Sequence, residues 1–233
     1  MQDNTYLFLK ASVLSAIVSL LIYGLALLYV NHLEMINYYE IDFNNVLDIA
    51  ESGDIVITRW HHVDLGIRVF SKFCHIGIIN KNDKGELTII ELHPEETDDE
   101  TGITKEGVNI YPFKERIQEL NCICYFLKSK RPFNINIDNL EQYKKVKFDR
   151  SYRWNFVKYW MQNQFRWHGH KDLNYMYCSQ LIGLILQDSN ILHKNYPIHT
   201  LSPASFEDLY DNCGKKLYGP AYKITGIEKK END

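Results

Sequence analysis

The sequence predicts an α+β fold: an antiparallel sheet of about five or six strands, packed by one late helix and preceded by one transmembrane helix. Three observations carry that expectation. Short β-branched runs punctuated by turn residues recur between positions 53 and 127, a polar-to-apolar stretch begins at Tyr177, and an uncharged run fills Ala11–Val30. The 233-residue chain has a formal net charge of −4, which gives no reason to expect nucleic acid as a partner.

The first element is the run ASVLSAIVSLLIYGLALLYV at 11–30. About 20 apolar residues suffice to cross a bilayer as a helix, and Tyr23 and Tyr29 fall toward one end, where interfacial aromatics are common. The run exceeds the apolar region of a signal peptide, and Asn31-His32-Leu33-Glu34 offers no small-x-small cleavage site. The expected organisation is an anchor and flank at 1–35, a connector at 36–52, a globular domain at 53–225 and a charged tail at 226–233. Lys10 precedes the span, whereas Glu34, Glu40, Asp42 and Asp48 follow it. The positive-inside rule then gives a single-pass protein in a lipid bilayer, with a cytoplasmic N-terminus and an extracytoplasmic or lumenal domain.

A short helix is expected at Asn44–Glu51, and a first strand at Gly53–Thr58, launched from a Gly-Asp turn. His61–Phe70 reads as helix or irregular loop. Strands at Cys74–Asn80 and Glu86–Leu92 flank the turn-rich loop Lys81–Gly85. The acidic segment Pro94–Gly102 is read as a solvated loop. Further strands are expected at Val108–Pro112 and Cys122–Leu127, with helices at Phe113–Leu120 and Asp138–Val146. Phe148–His170 interleaves aromatic and basic residues and reads as a core helix with the wall of a cleft. Leu201–Asp208 begins a short helix with Ser202 as its cap and Pro203 in its first turn.

Five cysteines, at 74, 122, 124, 178 and 213, are an odd number in a domain of ordinary size and do not form a disulfide framework. Cys122 and Cys124, two apart on one strand face, are poorly placed to bridge. Free thiols fit a reducing environment, which pulls against the expected topology. His61-His62 and His168-Gly169-His170 lack convincing partners, so no metal or organic cofactor is expected.

Chemistry is concentrated at Cys178 and His75. Cys178 opens the helical stretch Cys178–Leu186, where the helix dipole favours an anionic sulfur and a nearby imidazolium favours it further. If Asn80 pairs with Glu86 across the hairpin loop, paired numbers sum to 166 and His75 lies opposite Glu91. A sum of 168 puts His93 there instead. Glu91 is therefore the expected orienter of His75, with His93 in reserve.

Several short motifs stand in a telling order: Gly53-Asp54-Ile55-Val56, His75-Ile76-Gly77-Ile78, Ile89-Ile90-Glu91, Tyr177-Cys178-Ser179-Gln180-Leu181 and Leu201-Ser202-Pro203-Ala204. That order resembles the permuted NlpC-type cysteine hydrolases, a circularly permuted branch of the papain-like fold, and within them the YiiX-like group with its poxviral relative. The resemblance implies a Cys178–His75–Glu91 triad that cleaves an amide or ester bond through a thioacyl intermediate, on a peptide, amide or acyl-lipid substrate. Peptidase or amidase activity is favoured; acyl-lipid hydrolysis or transfer, or a silent virion or membrane scaffold, are the alternatives. Gln180, where acidic residues are common, and the bulky Leu92-His93 depart from the pattern.

Overall fold

Isoleucine and valine dominate the central strands, and branched side chains suit a pleated surface covered on both faces. The computed structural model describes residues 15, 18–25, 28, 38–59, 72–97, 104–136, 140–143, 146–148 and 175–229. Its strands are β1 (Tyr39–Asp42), β2 (Ile55–Arg59), β3 (His75–Lys81), β4 (Leu87–Thr97), β5 (Thr104–Pro112), β6 (Ile123–Ser129), β7 (Lys147–Phe148), β8 (Tyr175–Met176) and β9 (Tyr218–Thr225). The helices are α1 (Phe43–Ile49), α2 (Phe113–Glu119) and α3 (Cys178–Asp188). Seven strands form one sheet in the order β1-β9-β6-β2-β3-β4-β5, while β7 and β8 pair separately.

The fold is α+β, as the strand and helix patterning predicts, but the sheet is mixed. β1 runs parallel to β9, and the other pairs in the main sheet are antiparallel. β1 lies in the stretch expected to be a connector. It leads into α1, where the Asp42 side chain caps the helix by accepting from Asn44 N–H at 2.9 Å.

The sheet separates two apolar cores. On one face Ile55, Ile57, Ile76, Ile78, Ile90 and Leu92 pack with Leu181, Ile182 and Ile185 of α3. On the other, Val56, Ile79, Ile89 and Phe126 pack with Phe43 and Val46 of α1 and Phe113 and Ile117 of α2.

The Gly-Asp turn ties β2 to its neighbours. Gly53 has φ 93°, and the Phe133 ring lies where a Cβ would project, so only glycine fits. Buried Asp54 accepts from Glu51 N–H at 2.8 Å, Ser129 N–H at 2.7 Å and Lys128 Nζ at 2.9 Å. Burial raises its carboxyl pKa against the pull of those three donors. The motif that opens the domain is thus a structural clamp between the start of β2 and the end of β6.

Several expectations need correction. Among the described residues no helix is long and apolar enough to cross a membrane. The transmembrane helix at 11–30 and the single-pass topology built on it are therefore withdrawn. β4 extends through Thr97 into the stretch read as an acidic loop. Within Asp138–Val146 the described residues hold a short 3-10 turn, Glu141–Tyr143. His61–Phe70 lies outside the described residues, as does Phe148–His170 apart from Phe148, and with them both histidine pairs.

Candidate active site

The β3–β4 hairpin sets the site, and its loop chemistry fixes the register. Asn82 Oδ1 accepts from Lys84 N–H at 3.0 Å and Glu86 N–H at 2.9 Å, while Asn82 Nδ2 donates to Glu86 Oε2 at 2.7 Å. This turn closes the loop at Asn82–Glu86, one residue later than the sequence suggests. Lys81 therefore pairs with Leu87, Asn80 with Thr88 and Gly77 with Glu91. The expected pairing of His75 with Glu91 is corrected by two residues: Glu91 faces Gly77, diagonal to His75. The same register carries His75 toward His93, and their ring centroids lie 4.8 Å apart.

The slip preserves the faces, so Glu91 still reaches His75. A Cβ on Gly77 would stand 2.8 Å from Glu91 Cγ, and its absence lets the Glu91 chain lie across β3. Glu91 Oε1 is 3.4 Å from His75 Nε2. The second oxygen, Oε2, lies 2.6 Å from His93 Nε2 and accepts from Arg116 Nε at 2.9 Å. Arg116 Nη2 is 2.8 Å from His93 Nε2, and the guanidinium lies 4.7 Å from the centre of the Tyr111 ring.

His75 is the first residue of β3, and there its ring meets Cys178, the first residue of α3. Burial opposes a charged imidazole. The charge and hydrogen bond of Cys178, and then the proximity and charge of Glu91, outweigh it and push His75 up to about 10. Burial likewise opposes the Glu91 carboxylate, yet the proximity and charge of the His75 and His93 rings hold it well below the usual range, although His75 Nε2, 3.4 Å from Oε1, makes no hydrogen bond in this geometry. His93 is shifted the other way. Burial lowers its pKa, the charges on His75 and Arg116 add to that, and Glu91 resists.

The helix start that presents Cys178 is secured twice. Tyr177 N–H donates to Gln180 Oε1 at 2.9 Å, and Ser179 Oγ donates to the Leu201 carbonyl at 2.7 Å. Gln180 thus does the reach-back work of a capping-box side chain, which an amide performs as well as a carboxylate. The Leu201–Ala204 motif anchors the helix from outside. Cys178 is 5% exposed, whereas Cys213 is open to solvent, and all five thiols are free.

Arg116 is the member that sequence reasoning missed. It lies on α2 next to buried Ile117, and an arginine beside the buried face of so short a helix was the available signal. Among the described residues, His75, Glu91 and His93 also place potential ligand atoms within 4.8 Å of one another. That trio does not suit a metal ion. The guanidinium already contacts both Glu91 Oε2 and His93 Nε2, so a second cation there would meet a fixed positive charge. No protein-family model matches the chain, and no curated protein matches it by sequence.

Proposed function

We propose that the protein is a cysteine hydrolase of the permuted NlpC-type papain-like kind, cleaving an amide or ester bond, with peptides or other amides as the favoured substrates. The observation that carries this reading is the His75 ring lying against both Cys178 and Glu91, with a pKa pushed up to about 10 by those two groups despite burial. A buried, charged imidazole between a thiol in the first turn of a helix and a carboxylate is an arrangement suited to nucleophilic catalysis.

In this mechanism the Cys178 sulfur attacks the acyl carbon, and the carbonyl electrons move onto oxygen. The Cys178 N–H, first in α3 and so without an acceptor inside the helix, is placed to meet that oxyanion. As the intermediate collapses, the bond to the leaving group breaks and His75 gives it a proton, leaving a thioacyl enzyme. Neutral His75 then takes a proton from water, whose oxygen attacks the thioester. The carboxylic acid departs, the sulfur is released and His75 keeps the proton. Glu91 orients the ring and stabilises its charge.

The test is labelling with an acyl-thiol electrophile of intact protein, Cys178→Ala and His75→Ala. The reading expects adduct on Cys178 alone, lost in the first variant and strongly slowed in the second. Labelling indifferent to His75 would overturn it.

A further inference from the structure

We propose that Arg116 is a positioning residue of this site: with His93 it occupies one oxygen of Glu91, so that the other alone faces His75. The inference rests on the hydrolase reading above. It explains what a bare triad leaves unexplained, namely why a carboxylate 1% exposed is surrounded by two further polar side chains.

The geometry divides the carboxylate cleanly. Oε2 receives Arg116 Nε–H at 2.9 Å and lies 2.6 Å from His93 Nε2, whereas Oε1 points to His75 at 3.4 Å. His93 Nε2 is shared between two neighbours, lying 2.6 Å from Glu91 Oε2 and 2.8 Å from Arg116 Nη2, so all three groups meet at this one oxygen of the carboxylate. Arg116 supplies the charge that makes an ionised Glu91 tolerable inside the protein, and its planar guanidinium, lying against Tyr111, holds a fixed direction.

Without Arg116 the carboxylate is free to rotate about its last bond and share both oxygens with His93 and His75. The groups that act on Glu91 are His75 from β3, His93 on its own strand, Arg116 from α2 and the Cys124 thiol of β6. Cys178 reaches it through His75.

The experiment is a double-mutant cycle read by the rate of Cys178 alkylation with iodoacetamide from pH 5 to 10. Arg116→Ala is expected to slow alkylation at pH 7 by about tenfold and to change the shape of the pH profile. In a Glu91→Gln background the same substitution should do almost nothing, because its effect passes through Glu91. Arg116→Lys keeps the charge but loses the fork and should fall between. An equal slowing in both backgrounds would make Arg116 merely structural and overturn the inference. If Arg116→Ala does not fold, the Arg116→Lys cycle decides on the same criterion. If the intact protein shows no His75-dependent alkylation at all, the hydrolase reading falls and takes this inference with it. If that alkylation is present but indifferent to Arg116, the positioning role alone is lost.

Discussion

Gly77 and Glu91 face each other across the β3–β4 ladder, and a Cβ on Gly77 would stand 2.8 Å from Glu91 Cγ. The glycine is therefore part of the site without taking part in any chemistry. Gly77→Ala should push the Glu91 chain off β3 and lengthen its contact with His75. The expected outcome is at least about a tenfold loss in Cys178 alkylation rate at pH 7. The overpacking should destabilise the protein by about 1–3 kcal/mol, measured by urea titration. Unchanged alkylation would show that Glu91 does not need that lane.

Cys178 should be the first thiol alkylated by iodoacetamide at pH 6. Competition makes the test sharp, because Cys213 is exposed and Cys178 is 5% exposed. Accessibility alone ranks them the other way round; the imidazolium and the helix N-terminus reverse the order. Peptide mapping after brief labelling gives the ranking, and Cys213 reacting first would remove the nucleophile assignment.

Glu91→Gln should cost stability as well as reactivity. A carboxylate lining an open cleft would be dispensable for packing, but that is not the position of Glu91. The structure instead buries it against Arg116 at 2.9 Å. Neutralising it leaves a part-buried guanidinium without its counter-charge, with an expected loss of about 3 kcal/mol. Chemical denaturation of both proteins at pH 7 measures it.

Stability should pass through a maximum in mildly acidic solution. Folding raises His75 from 6.5 to about 10, so its contribution is complete below pH 6.5 and is lost as pH rises toward about 10. Folding lowers Glu91 from 4.5, so its contribution is present above that value and is lost as pH falls through the depressed pKa. The urea midpoint should therefore decline from pH 6 to pH 10. Cys178→Ala removes the largest favourable influence on His75 and should flatten that decline. An equally steep fall in the variant would exclude the coupling.

The residues with local signatures were legible in the sequence. His75, Glu91 and Cys178 each sit on the element that their flanking pattern indicates. The hairpin was legible too, but not its register, because the Asn82 side chain reorganises the loop through two backbone N–H groups and shifts every pair. Arg116 was hidden for another reason: it meets Glu91 from an element 25 residues away, and no local pattern encodes that encounter. β1 and β9 escaped because each is only partly apolar: β9 becomes a strand by pairing with β6, and β1 by adding to β9 at the sheet edge. The run at 11–30 misled because length and hydropathy describe a helix that could span, whereas among the described residues no helix is long and apolar enough to cross a membrane.

The separation of the two cores by the sheet has a kinetic consequence. The sulfur is carried by a helix seated in one core, whereas Arg116 comes from a helix seated in the other. Partial opening of a domain tends to release whole units with their own packing. Undocking of α3 would then carry off the Cys178 sulfur while the carboxylate and Arg116 stay assembled on the far side. Reactivity should fade on warming before the strands give way, and return on cooling at the speed of a helix reseating itself rather than of a sheet being rebuilt.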